Sequence, residues 1–145
     1  IIATKVTVNT NAYEKKILQK APGLQLYSKA CPAFVPLIEE GIIDNEIMDL
    51  TIKYYLDDFI KEHDINTLVL GCTHYPFVKA AIGRILGEET VLLDGGEGTA
   101  RQTKRCLEQV QLLHEGPGSL QIENSCHDGR LIRLCMDLLK EREDG

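Results

Sequence analysis

The sequence predicts a three-layer α/β/α fold built around a mostly parallel sheet. Short apolar runs, each long enough for one strand, alternate along the chain with amphipathic stretches of helical spacing. The connections between them are short, and an alternation of strand and helix with short connections favours parallel strands with helices on both faces. A chain of 145 residues can also bury a hydrophobic core.

The composition restricts the class of protein. At 43% hydrophobic and 26% charged residues, the chain has the composition of a globular protein. Its net charge of −6, from 16 basic and 22 acidic residues, argues against a nucleic-acid binder, and no apolar run has the length of a membrane span. Five cysteines without paired spacing favour a reducing compartment over a disulfide scaffold. We therefore expect a cytoplasmic protein.

The predicted strands are apolar runs bounded by residues that favour turns. They cover residues 1–4, 24–27, 65–70, 90–94 and 120–123. The chain opens directly on the first of them without a methionine, and we expect it to be a fragment of a longer protein.

The predicted helices are recognised by capping signals and by apolar stripes. Asn11 with Glu14, and Thr99 with Gln102, have the spacing of a capping box. The longest helix, capped by Asp44 or Asn45, carries an apolar stripe at helical spacing, formed by Met48, Ile52, Tyr55 and Phe59. In order, we expect a helix through Leu18, a helical turn over residues 34–41, helices over 45–62 and 76–86, and helices beginning at Thr99 and Asp128.

A cysteine and a histidine follow the third predicted strand. Gly71 lets the backbone turn there, and Pro76 suits the first position of the next helix. At such a corner, backbone N–H groups and the positive helix end favour a thiolate at Cys72, and His74 could steady that thiolate or carry its proton. The spacing fits equally well a small buried Cys72 and a hydrogen-bonded loop His74.

Other candidate residues give weaker signals. Thr4 and Thr7 follow the first strand, where their hydroxyls could bind a small anion such as a carboxylate. The adjacent Glu39 and Glu40 are either an acid near the site or solvated surface. The segment at 96–98 lacks the third small residue of a dinucleotide fingerprint. No metal site is predicted, because Cys72 and His74 have no partner pair at ligand spacing.

Four stretches together carry a resemblance to a known family: residues 4–13, 30–39, 68–76 and 93–101. They resemble the cofactor-independent glutamate racemases of the aspartate/glutamate racemase superfamily. The most specific is Leu-Val-Leu-Gly-Cys-Thr-His-Tyr-Pro, residues 68–76, which is similar to the motif of the family's second catalytic cysteine. The resemblance is clear as far as Arg101 and looser beyond it.

The resemblance implies two α/β domains with the substrate between them and no cofactor. Two cysteines, one from each domain, face opposite sides of the substrate α-carbon, so that one removes a proton while the other delivers one. The implied reaction interconverts L- and D-glutamate and supplies D-glutamate for peptidoglycan. Two alternatives stay open: an aspartate racemase or related enzyme, and a non-catalytic α/β module that binds a small anion.

The resemblance also implies roles for single residues. Cys72 is similar to the second catalytic base and acid, His74 to the residue that assists it, and Glu39 to the nearby acid. Glu39 is preferred to Glu40 because it completes a Val-Pro-x-x-Glu pattern. The residues implied to bind the substrate carboxylate or amino group are Thr73, Thr4 and Thr7. Cys31 is interpreted as structural.

Nothing in the chain matches the family's first catalytic cysteine. Cys106, Cys126 and Cys135 fall on or beside predicted helices without the required context. The resemblance therefore implies that residues 1–93 form the second catalytic domain and that the strand-helix segment 94–145 packs with an absent N-terminal domain. We expect the 145-residue chain alone to be inactive, with exposed apolar surface that could support a homodimer.

Overall fold

The computed structural model describes residues 1–114, 116–125 and 129–140. It divides into two compact units, Ile1–Gly95 and Gly96–Gly145. The elements in chain order are β1 (Ile2–Ala3), α1 (Lys5–Thr10), α2 (Ala12–Lys20), β2 (Lys29–Ala30), α3 (Phe34–Glu39), α4 (Glu46–His63), β3 (Thr67–Leu70), a 3₁₀ helix (Tyr75–Val78), α5 (Lys79–Leu86), β4 (Val91–Asp94), α6 (Gly96–Gln109) and α7 (Gly129–Lys140). This is the α/β class that the sequence predicts.

The first unit is built on a four-stranded parallel sheet with the order β2-β1-β3-β4. Ile2 lies opposite Leu70 in the register, and Leu70 lies opposite Asp94. Because neighbouring strands run in the same direction, the residues that follow them meet at one edge of the sheet. The segments that begin at Thr4 and Gly71 therefore leave the sheet side by side.

The core of the first unit joins the sheet to α3, α4, the 3₁₀ helix and α5. Its buried side chains include Ile2, Phe34, Ile38, Met48, Ile52, Leu56, Leu68, Leu70, Tyr75, Val78 and Ile82. The stripe predicted for α4 lies mostly in this core, although Tyr55 is only half-buried and Leu56 is completely buried. The side chain of Asn45 caps α4 by accepting from the backbone N–H of Met48 at 3.1 Å, so the cap is Asn45 rather than Asp44.

The structure corrects the predicted start of the chain. Residues 5–10 form α1, which the sequence did not predict, and Thr4 caps it. Asn11 does not form the predicted capping box: it adopts a left-handed conformation with φ of 51° and its side chain makes no cap hydrogen bond. A left-handed residue here ends α1 and turns the chain into α2, so Asn11 serves as a C-cap.

Three further predictions need correction. The second strand is Lys29–Ala30 rather than residues 24–27, because Lys29 and Ala30 are the residues that pair with β1, whereas Tyr27 contributes only its carbonyl, which accepts from the Ile1 amino group at 2.7 Å. The helix predicted to begin at Thr99 starts at Gly96, and the Thr99 carbonyl accepts from the Thr103 hydroxyl inside it. Residues 120–123 lie in no strand. The predicted cap at Asp128 lies outside the described residues.

The second unit contains α6 and α7. No residue of α6 is buried, and Leu138 is the buried residue of α7. Across the part of the chain that the structure describes, no helix is both long enough and apolar enough to cross a lipid bilayer.

Candidate active site

The site begins where β3 ends, at a glycine that allows two strands to lie very close together. The Gly71 N–H donates to the Ile2 carbonyl at 2.8 Å. A Cβ at position 71 would lie 3.0 Å from that same carbonyl oxygen and 3.1 Å from the Tyr13 ring. Gly71 is not in the left-handed region. The absence of a Cβ therefore lets the Cys72 segment pass close to β1, and the turn that we predicted at Gly71 does not depend on a positive φ.

Cys72 is the first side chain beyond this contact. It is half-buried, and Thr73 beside it is exposed. The backbone N–H of Tyr75 donates to the Cys72 carbonyl at 3.2 Å, which closes a tight turn before the 3₁₀ helix. Thus Cys72 is held at the carboxyl edge of a parallel sheet, where open α/β sheets place their ligands, and its thiol is not sealed in the core.

His74 is oriented by Glu39, which lies 35 residues earlier in the sequence. Its Nε2 lies 3.2 Å from Oε1 of Glu39, the last residue of α3. The two side chains are 35% and 52% exposed, so the pair contributes little to stability. Its effect is on orientation: when Nε2 donates to the carboxylate, Nδ1 of the neutral ring is the nitrogen left to accept a proton.

Thr4 and Thr7 lie together at the start of α1, beside the Cys72 segment. Their hydroxyl oxygens are 3.1 Å apart, and Thr4 also accepts from the Thr7 N–H at 3.4 Å. One hydroxyl donates to the other, so one hydroxyl hydrogen of the pair remains able to donate to an anion. Ile2 and Leu70 lie opposite each other in the register, and Thr4 and Cys72 follow them by the same number of residues. Thr4 and Cys72 therefore lie at the same level on two adjacent strands.

The edge also carries an ion pair that the sequence analysis did not single out. Lys79, the first residue of α5, donates from Nζ to Oδ2 of Asp94 at 2.7 Å. Asp94 ends β4 and lies opposite Leu70 in the register. The sequence signal for this ion pair was the position of Asp94, an acid at the end of a strand. Its partner, Lys79, lies 15 residues earlier on a helix, so the pair itself is a tertiary contact.

The other cysteines have different surroundings. Cys31 is completely buried, and this burial raises the pKa of its thiol to about 12. It therefore stays protonated at neutral pH, which agrees with a structural role. Cys106 and Cys135 are exposed on α6 and α7, in the second unit. Cys126 lies outside the described residues.

The described residues include no cluster of three or more His, Cys, Asp or Glu side chains able to hold a metal ion. A cavity of about 550 Å³ lies elsewhere in the first unit. It is lined by Ile1, Ile17, Leu24, Gln25, Leu26, Tyr27, His63, Asp64, Ile65, Asn66, Thr67, Val69 and Leu93. None of the predicted site residues lines it, so the candidate site is the open sheet edge and not this cavity.

Known proteins resemble the chain over most of its length. A glutamate racemase of Geobacter metallireducens is 45% identical over 113 residues, which are 78% of this chain and 42% of that protein. A glutamate racemase of Aquifex aeolicus is 39% identical over 139 residues, 94% of this chain and 51% of that protein. The chain thus spans about half the length of these curated relatives. No protein-family model matches it.

Solved structures give the same result for the fold. The crystal structure of a Francisella tularensis glutamate racemase in complex with D-glutamate matches with a TM-score of 0.80 at 31% identity, covering 96% of this chain and 52% of that one. A Thermus thermophilus glutamate racemase in complex with beta-chloro-D-alanine matches with a TM-score of 0.71 at 37% identity, covering 92% and 50%. In sequence and in fold, the chain is homologous to the C-terminal portion of the glutamate racemases.

Proposed function

We propose that this chain provides one half of the active site of a glutamate racemase. The observation that carries the proposal is the arrangement at the sheet edge: a half-buried thiol at Cys72, a histidine two residues later, and the Glu39 carboxylate 3.2 Å from that histidine. A racemase must remove the α-proton from one face of its substrate and deliver a proton to the other. A thiol beside an oriented imidazole is suited to one of those two tasks.

In the proposed reaction, the Cys72 thiolate takes the α-proton of one glutamate enantiomer, and a thiol on the opposite face gives its proton to the α-carbon. In the reverse direction the two sulfurs exchange roles. Only protons move, so no redox or carbonyl cofactor is required. His74 holds or returns the proton of Cys72, and Glu39 orients His74.

Thr73, Thr4 and Thr7 are proposed to bind the substrate. The Thr4–Thr7 pair has one hydroxyl hydrogen free to donate to a carboxylate oxygen, and Thr73 is exposed beside Cys72. Hydrogen bonds to the α-carboxylate favour the transition state, because negative charge spreads onto that group when the α-proton leaves.

The second thiol is proposed to come from outside these 145 residues. Cys31 is buried and protonated, and Cys106 and Cys135 are exposed on helices of the second unit. Cys126 lies outside the described residues, and its sequence context does not resemble that of the family's first catalytic cysteine. Residues 1–93 are then the second catalytic domain, and residues 94–145 are the segment that packs with the N-terminal domain of the whole enzyme. D-glutamate for peptidoglycan is the proposed product.

The test uses a hybrid enzyme, defined as the N-terminal portion of the Aquifex aeolicus relative joined to this chain. Racemisation of L-glutamate, D-glutamate and L-aspartate is followed in D₂O by chiral chromatography, for the hybrid and for the 145-residue chain alone. We expect the hybrid to interconvert the glutamate enantiomers with deuterium incorporation at the α-carbon, and the chain alone to be inactive.

Three results would contradict the proposal. Two-way racemisation by the chain alone would mean that the chain supplies a second catalytic thiol. Faster turnover of aspartate than of glutamate would assign the other substrate. A folded hybrid that binds glutamate without exchanging its α-proton would support the non-catalytic module.

A further inference from the structure

The residue after His74 is a completely buried tyrosine with a hydrogen-bonded hydroxyl. Tyr75 is the largest completely buried side chain in the described structure. Its hydroxyl is not left unpaired: it donates to the Cys31 carbonyl at 2.9 Å. Burial raises the pKa of this phenol, so the hydroxyl remains a donor throughout the physiological pH range.

That hydrogen bond completes a hydrogen-bonded network that joins the ends of three strands. The Cys31 N–H donates to the Ala3 carbonyl at 3.0 Å, the Cys31 carbonyl accepts from the Tyr75 hydroxyl, and the Tyr75 N–H donates to the Cys72 carbonyl at 3.2 Å. These bonds connect the segments that follow β1, β2 and β3. Thr4 and Cys72, two of the proposed site residues, adjoin them directly.

While the Tyr75 hydroxyl bonds to Cys31, the Tyr75 ring contacts α3. It packs edge-to-face on Phe34, with the ring centroids 5.2 Å apart and an interplanar angle of 77°. Phe34 is the first residue of α3 and Glu39 is the last. Tyr75 therefore contacts the helix that carries Glu39, while it is bonded along the backbone to His74, the partner of Glu39.

We propose that Tyr75 is a positioning residue, whose hydroxyl bond to Cys31 and ring contact with Phe34 hold His74 at bonding distance from Glu39 and fix the Cys72 turn. If Tyr75 only filled the core, removal of its hydroxyl would leave the contact between His74 and Glu39 unchanged. Tyr55 of α4 is the comparison within the same cluster, because it also packs edge-to-face on Phe34, with the ring centroids 5.6 Å apart, and is not next to a proposed site residue in the sequence.

The first test does not depend on the racemase proposal and uses the 145-residue chain. The imidazole nitrogen signals of His74 are recorded by NMR for the wild type and for Tyr75→Phe, Tyr55→Phe and Glu39→Gln. We expect Tyr75→Phe to move the Nε2 signal in the same direction as Glu39→Gln does, because both disturb the His74–Glu39 pair. Tyr55→Phe should leave it in place. Equal signals in Tyr75→Phe and the wild type would overturn the proposal.

The second test rests on the proposed function and uses the hybrid enzyme in a double-mutant cycle. Tyr75→Phe should lower kcat about tenfold with little change in KM, because a small misplacement of reacting groups affects the chemical step. In the Glu39→Gln background the same substitution should lower kcat less than about threefold, because the two act through one histidine. Additive losses, or an equal loss from Tyr55→Phe, would contradict the proposal.

A second variant covers the case in which Tyr75→Phe does not fold. Phe34→Leu removes the ring contact and leaves the Tyr75 hydroxyl in place, so it should also move the His74 Nε2 signal. An unchanged signal in folded Phe34→Leu would contradict the part of the proposal that concerns α3. If the hybrid proves inactive while the NMR results are as expected, the proposed function fails and the positioning role stands.

Discussion

The two compact units of the chain differ in how much of their apolar surface is buried. Among the described residues, every buried hydrophobic side chain except Leu138 lies in Ile1–Gly95. In the second unit, Val110, Leu112 and Leu120 are 61%, 69% and 71% exposed. All the predicted site residues also belong to the first unit. The comparison shows that the candidate site lies on the unit with its own packed core, which can hold side chains in fixed positions.

Truncation of a hydrophobic side chain should change the free energy of unfolding much more in the first unit than in the second. Ile52→Ala removes a completely buried side chain of α4 and should lower the free energy of unfolding by about 2–5 kcal/mol. Val110→Ala, its exposed control, should change it by less than about 0.5 kcal/mol. Urea unfolding is followed by circular dichroism, because both units contain helices, whereas the five tyrosines all lie within residues 13–75 and report on the first unit alone. Similar losses for both variants would remove the contrast.

A pair of glycines sharpens the same comparison. In Gly71→Ala the new methyl group would lie 3.0 Å from the Ile2 carbonyl oxygen, and we expect a loss of about 1–3 kcal/mol from overpacking. Gly98→Ala has open space around the new methyl group inside α6, and better helix propensity should stabilise that helix by up to about 1 kcal/mol. Urea unfolding followed by circular dichroism compares them. If Gly71→Ala left the free energy of unfolding unchanged, β1 and β3 would be able to move apart enough to accommodate the methyl group.

A further expected effect is a dependence of stability on alkaline pH. The thiol of Cys31 has a pKa of about 12 in the folded chain against 9.0 when unperturbed, so above pH 9 the unfolded state releases a proton that the folded state retains. The free energy of unfolding should therefore fall with rising pH, by about 1.4 kcal/mol per unit from this group.

The matched variant isolates that contribution from other titrating groups. Cys31→Ala should flatten the slope between pH 9 and 10.5, whereas replacing the exposed Cys106 by alanine should leave it as in the wild type. Equal slopes in the wild type and Cys31→Ala would mean that the Cys31 thiol titrates normally.

The elements predicted well from the sequence are those specified by local signals. The Asn45 cap and the apolar stripe of α4 lie within a few turns of each other, so both can be read without knowing the fold. In contrast, β2 has only two residues, and its position is set by hydrogen bonds to β1. The helix α1 was missed because its Thr and Asn residues are weak helix formers, and the cap at Thr4 offsets this weakness.

The candidate site was predictable to different degrees. Cys72 and His74 share one short segment, and the strand-end pattern was enough to single them out. The contact between His74 and Glu39 joins residues 35 positions apart, and only the family resemblance pointed to Glu39 rather than Glu40. Tyr75 was missed because its hydrogen bond to Cys31 is a tertiary contact across 44 residues.

The central claim, that Cys72 acts on one face of glutamate, is tested most directly by deuterium exchange in the hybrid enzyme. Cys72→Ser is incubated with L-glutamate and with D-glutamate in D₂O, and deuterium at the α-carbon is followed by NMR, with Cys106→Ser as the control. We predict that exchange is lost from one enantiomer at least about 10²-fold more than from the other, and that the control exchanges both like the wild type. Equal loss from both enantiomers would contradict the account.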